Sequence, residues 1–95
     1  MVAYVVVEIE VTDPEGYEEY KQLSGASVAQ YGGRFLVRGG RYETLEGDWA
    51  PGRFVLLEFD SVESAKRWWS SPEYERAKQI RWRTATTKMI VVEGV

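Results

Sequence analysis

The chain has neither histidine nor cysteine. Without cysteine there can be no disulfide, thiolate metal site, iron–sulfur ligation or sulfur nucleophile. Without histidine the usual zinc and haem ligands are missing, along with the Ser-His-Asp triad and the only side chain that titrates unperturbed near neutrality. No metal site and no cofactor is therefore expected. Long apolar runs are absent too: none approaches the roughly 20 residues that span a bilayer, so no membrane partner is expected. Met1 leads straight into a strand-like segment with no basic stretch or small-residue cleavage site, which reads as a cytoplasmic protein without a secretory signal. Positive charge is in short supply. There are 12 Lys+Arg against 15 Asp+Glu, a formal net charge of −3, which argues against a nucleic-acid binder.

What is present is aromatic. At 95 residues the chain allows one small domain, residues 1–95, yet it carries 4 Trp and 6 Tyr. A domain of this size buries only about two-thirds of its unfolded surface. Self-association would bury the surplus apolar area.

Val2 to Val11 alternates at period two, with Val5, Val7, Ile9 and Val11 on one face and Tyr4, Val6, Glu8 and Glu10 on the other. That pattern predicts a half-buried strand. Thr12 or Asp13 then caps a helix whose first turn holds Pro14, with capping-box spacing from Thr12 to Glu15. Tyr17, Tyr20, Ser24, Ser27, Val28 and Tyr31 form one stripe along it, and Gly32-Gly33 ends it. Arg34 to Arg38 predicts a second strand, which Arg41 to Glu46 could continue, with Gly39-Gly40 as a bulge or bend. Arg53 to Phe59 predicts a third strand. Asp60 to Glu63 has capping spacing for the next helix, which carries Ala65, Trp68 and Trp69. Ser70-Ser71-Pro72 interrupts that helix, and a further piece places Tyr74, Ala77, Ile80, Arg81 and Thr84 on one side. Thr86 to Glu93 is the last strand.

The order β-α-β-β-α-β predicts an α+β, ferredoxin-like fold, a four-stranded antiparallel sheet with its helices on one face. The bare face would hold Tyr4, Val6, Phe54 and Leu56, too apolar for open water. A second copy laid across it, giving a homodimer, is the expected cover.

Several blocks carry a family resemblance: Tyr31 to Gly40, Leu45-Glu46-Gly47, Val55 to Phe59, and Trp68 to Tyr74. Together they resemble the family of domain of unknown function 1330, from Val2 to Gly94. The resemblance implies a dimeric α+β barrel, whose superfamily hosts cofactor-free oxygenases, isomerases, haem enzymes and ligand-binding regulatory domains. It also draws attention to Tyr74 and Arg81, because similar residues recur in that family's pattern. It assigns no activity, since one fold hosts many chemistries.

Charged residues inside strands are the first candidate site. Alternation places Glu8 and Glu10 with Val6, and Glu58 with Leu56, on the expected barrel interior. Desolvation there would raise a carboxylate's pKa unless an Arg lay beside it, and a raised Glu can act as general base. The plainer alternative is cross-strand pairing of Glu8 or Glu58 with Arg34 or Arg38. The break at Ser70 to Tyr74, with Arg76 and Arg81 beyond it, could present free N–H groups to an anion, but ordinary capping is the better reading, since Glu73 in the first turn already satisfies the dipole. Trp49, Trp68, Trp69 and Trp82 with Tyr17, Tyr20 and Tyr74 could line a cleft for a flat organic molecule or simply fill core and interface. Gly32-Gly33 and Gly39-Gly40 lack any phosphate-loop register. Arg76, Lys78, Arg81 and Arg83 form the only basic cluster and read as a solvated helix face.

The candidate catalytic residues are therefore Glu58, Arg38 and Tyr74, and the candidate ligand-binding residues Trp68, Arg81, Glu8 and Tyr20. In this scheme Glu58 is the polar or basic group and Arg38 the anion partner. Trp68 and Tyr74 wall a pocket between sheet and helices that takes a small organic ligand, for binding or for cofactor-free catalysis. The competing expectation is a structural or interaction module whose strand charges serve dimerisation.

Overall fold

The computed structural model describes residues 1–95. Its elements run β1 (Ala3–Val11), α1 (Pro14–Gln30), β2 (Arg34–Arg38), β3 (Arg53–Phe59), α2 (Val62–Trp69), α3 (Pro72–Thr84) and β4 (Ala85–Glu93). The strands form one antiparallel sheet in the order β2-β3-β1-β4, the ferredoxin-like arrangement that the element order predicts. The Cα positions extend 35 × 32 × 16 Å, the short dimension being one sheet and one layer of helix.

Period-two alternation does what it should. Val5, Val7 and Ile9 of β1, with Val55, Leu57 and Phe59 of β3, are buried beneath the helices. From α1 the predicted stripe Tyr17, Tyr20, Ser24, Ser27 and Val28 meets them. Asp13 accepts a hydrogen bond from the Gly16 amide at 3.2 Å and is the cap. Ser61, not Asp60, caps α2, accepting from the Ser64 amide at 3.0 Å, because the helix begins at Val62, one residue later than the Asp60–Glu63 spacing implies. Ser71 caps α3 through the Tyr74 amide at 3.1 Å. The second helical region is thus two helices, and three helices pack on the sheet in all.

One expectation fails in β2. Arg41 to Glu46 does not extend it; residues 41–46 lie in an exposed loop. Gly39 makes the expected bend just after the strand, at φ 73°, and a bulge without a sequence signal lies between Phe35 and Val37. An extra residue in one strand reverses the side-chain parity beyond it. Arg34 therefore pairs across from Glu58 on the bare face, while Arg38 pairs across from Val55 on the helix side.

On the bare face the register aligns Val37, Leu56, Val6 and Ile90 in one row across all the strands. One step along, Arg34, Glu58, Tyr4 and Val92 form a second row; on the other side Glu8 stands between Phe54 and Lys88. No helix covers this face, and Ile90 is 62% exposed.

Candidate functional site

The helix side of the sheet collects most of the candidate residues. Trp68 comes from α2, Tyr74 and Arg81 from α3 and Tyr20 from α1, and all are buried. Their positions follow from helical spacing: Tyr20 lies on the α1 stripe, while Tyr74, Ala77 and Arg81 share one side of α3. The Tyr20 and Tyr74 hydroxyls are 2.7 Å apart and satisfy one another. The Trp68 and Tyr74 rings stack with centroids 4.2 Å apart. The Trp68 indole N–H donates to Ser27 Oγ at 3.1 Å, and that hydroxyl donates in turn to the Ser24 carbonyl at 2.9 Å. The Arg81 guanidinium lies 6.0 Å from the Tyr20 ring centroid.

Burial, and then the adjacent Tyr20, push the Tyr74 phenol above its ordinary range; the Arg81 charge offsets this only in part. Tyr17 is raised by burial and by Tyr20, with Arg53 opposing. These phenols are neutral hydrogen-bonding groups at physiological pH and not bases.

The enclosed space among Tyr17, Tyr20, Phe35, Arg38, Arg53 and Trp68 amounts to only ≈ 20 Å³. That is room for about one water molecule. Between α1 and the sheet the interior is thus filled by the protein's own side chains. Arg38 closes its α1 edge, with its guanidinium 4.1 Å from the Phe35 centroid and a hydrogen bond of 2.6 Å donated to the Lys21 carbonyl.

A larger space opens where α2 and α3 meet the edge strand β4. This groove holds ≈ 540 Å³ and is lined by Trp68, Trp69, Arg81, Trp82, Thr87 and Met89 among others, a volume typical of small-molecule sites. Trp68 and Trp69 are adjacent on α2 and cannot both face the core. Trp68 is 1% exposed and Trp69 42%, so Trp69 stands at the mouth, as does Trp82, 54% exposed. Lys78 bridges the two outer indoles, its ammonium 3.8 Å from the Trp69 centroid and 5.6 Å from that of Trp82. It also donates to the Trp69 carbonyl at 2.9 Å.

Glu58 and Glu8 lie on the opposite face of the sheet. Glu58 accepts from Arg34, with Nη2 at 2.6 Å and Nε at 2.7 Å, the cross-strand pairing that was the plainer alternative. The scheme that joined Glu58 to Arg38, Trp68 and Tyr74 in one pocket is corrected at Glu58. Alternation turns Glu58 away from the helices, while the bulge turns Arg38 toward them, as the scheme required. The solvated reading of the basic cluster holds for half of it. Lys78 and Arg81 are buried, whereas Arg83 and Arg76, which pairs with Glu19 at 2.9 Å, are exposed. The α3 N-terminus shows ordinary capping: Ser71 takes the Tyr74 amide, and Glu73 receives the Tyr31 hydroxyl at 2.7 Å. That hydrogen bond lowers the Glu73 pKa and raises that of Tyr31.

Over residues 2–95 the sequence matches the family described as Domain of unknown function (DUF1330). The chain belongs to that family. No curated protein matches it. Among solved structures, this DUF1330 chain is similar to a protein of unknown function from Rhodopseudomonas palustris, with a TM-score of 0.78 and 18% identity over 99% of this chain and 82% of that one. It is also similar to a dimeric ferredoxin-like protein of unknown function from Jannaschia sp. CCS1, with a TM-score of 0.73 and 12% identity over 99% and 100% of the two chains. A third is SnoaB, a cofactor-independent oxygenase from Streptomyces nogalater, with a TM-score of 0.68 and 13% identity over 99% and 93%. At these identities the likeness establishes the fold.

Sequence reasoning passed over several residues of the DUF1330 groove. Trp82 stood in the aromatic set but outside the candidate site; its place off the buried stripe of α3 was the available signal. Thr87 and Met89 carry no local signal, since only the packing of β4 against α2 and α3 brings them there. Arg53 was passed over as a strand start, yet it faces the helices 5.7 Å from the Tyr17 centroid. No helix of the protein is long and apolar enough to cross a membrane.

Proposed function

We propose that this protein is a homodimer that binds a small organic molecule in the groove between α2, α3 and β4. The observation that carries the reading is the groove itself: ≈ 540 Å³, walled by three indoles and Met89, with Arg81 in its lining. Aromatic walls with few polar groups are the usual make-up of a small-molecule site. Two residues named from sequence as ligand contacts, Trp68 and Arg81, line it. Tyr20 and Tyr74 stand directly behind them as a hydrogen-bonded support.

The groove contains no carboxylate, and burial keeps the Tyr74 phenol protonated. No side chain there is a ready base at neutral pH, which favours binding over proton abstraction. Cofactor-free catalysis remains the second reading, supported by the fold shared with SnoaB; it would act on a substrate already ionised in solution. Dimerisation is supported by the aliphatic row on the bare sheet face and by the dimeric ferredoxin-like protein of the same fold.

Titration with 2-naphthamide, a flat neutral probe, tests the site. The indole N–H resonances of Trp69 and Trp82 should shift while that of Trp49, which packs on Phe54 away from the groove, stays in place. Unmoved Trp69 and Trp82 signals, or movement confined to Trp49, would remove the groove as the binding site.

A further inference from the structure

Arg81 is 3% exposed and always charged. It makes no ion pair: the four salt bridges of the protein involve Lys21, Arg34, Arg76 and Lys78. Its Nε has no hydrogen-bond partner, and neither does the buried Thr87 Oγ1. Both residues line the α2–α3–β4 groove. A buried guanidinium left without an anion is costly, and the groove that Arg81 lines offers it no carboxylate from the chain itself.

The rest of the groove agrees in sign. Lys66 is the only other charged residue in its lining, and no Asp or Glu contributes, although the chain as a whole carries −3. Beside the outer indoles, Lys78 is cationic too and is shared between Trp69, Trp82 and Glu75, the last at 3.6 Å. The walls are flat: three indoles, with the Met89 thioether among them. Aromatic faces and sulfur favour a planar, conjugated body.

Resting on the reading of the groove as the ligand site, we infer that its ligand is a planar aromatic anion. A carboxylate or phenolate oxygen accepts from Arg81 and from the Thr87 hydroxyl, and the ring packs against the indole walls of the groove. Charge-assisted hydrogen bonds from a fork-shaped donor in a partly dry groove are the strong kind.

The test compares 2-naphthoate with 2-naphthamide, which share a shape and differ in charge. Binding is followed by the Trp69 and Trp82 indole resonances in the full-length protein. The carboxylate should bind at least about tenfold more tightly, the scale of one charge-assisted contact. Arg81→Gln should bring the two affinities together. Trp82→Ala, at an exposed position that folding does not depend on, should weaken both probes in parallel. Equal affinity of the two probes for the unmodified protein would overturn the anion assignment while leaving the groove as a ligand site. A preference for the carboxylate that survives Arg81→Gln would likewise overturn the role of Arg81. Absence of any indole shift with either probe would overturn both the class and the site.

Discussion

Tyr74 shows how one residue joins stability to the site. Its ring is stacked on Trp68, its hydroxyl is paired with Tyr20, and it is fully buried. Tyr74→Phe should cost about 1–2 kcal/mol, since it strands the buried Tyr20 hydroxyl; denaturant unfolding at neutral pH measures it. The raised phenol pKa adds a pH signature. An unfolded tyrosine ionises near about pH 10, while the folded one still holds its proton there. The unfolded state therefore binds fewer protons, and stability that is intact below about pH 10 declines as pH rises above it. A stability–pH curve for Tyr74→Phe should be flatter in that alkaline range than the wild-type curve. Glu58 presents the opposite case. Its partner Arg34 is 69% exposed, so Glu58→Gln should lower stability by no more than about 1 kcal/mol. It should also leave 2-naphthamide affinity unchanged, because the side chain is on the other face of the sheet. A lost probe affinity in Glu58→Gln would return that residue to the candidate site.

At the scale of the element, what was legible in the sequence was what repeats. β1 reads correctly because Val5, Val7 and Ile9 alternate against Tyr4, Val6 and Glu8; α1 reads correctly because Tyr17, Tyr20, Ser24, Ser27 and Val28 recur at helical steps. The Ser71-Pro72 break reads correctly because capping and proline act locally. The bulge beside Leu36 has no such mark. Leu36 is an ordinary strand residue, and only its pairing against β3 shows that one extra residue sits there, so nothing local shows that Arg34 can pair with Glu58 and Arg38 cannot. The groove was illegible for a related reason: α2, α3 and β4 follow one another in the chain, but their side chains converge only after β4 has paired with β1. The turn between α1 and β2 offers a direct check on this packing. A Cβ on Gly33 would stand 2.5 Å from the ring of buried Phe59. Overpacking of that kind costs about 1–3 kcal/mol, so Gly33→Ala should lower the melting temperature by several degrees, roughly 4–8 °C per kcal/mol for a domain of this size.

For the whole molecule, the two faces of the sheet divide the work. One carries the filled core and, at its β4 edge, the groove; the other carries the aliphatic row Val37, Leu56, Val6 and Ile90 flanked by Arg34–Glu58 and by Glu8 opposite Lys88. An uncovered row of this kind is what a second copy would bury. Val6→Lys, at the centre of that row, should convert a dimer into a monomer in sedimentation equilibrium and leave the groove able to bind its probe. A dimer that persists in Val6→Lys would place the interface elsewhere. The separation of the faces also explains why the strand charges, prominent in the sequence, do not reach the site. Missing histidine and cysteine leave Arg81, Lys66, Ser70, Thr87 and the indoles, with Tyr20 and Tyr74 behind them, as the polar and aromatic chemistry around the groove. A crystal structure of the protein grown with 2-naphthoate tests the groove and its ligand class together. Electron density for the ring is expected against the indole walls of the groove, with its carboxylate within hydrogen-bonding reach of Arg81. Density for the probe on the bare sheet face, or a groove closed by its own side chains in the presence of saturating probe, would contradict that expectation.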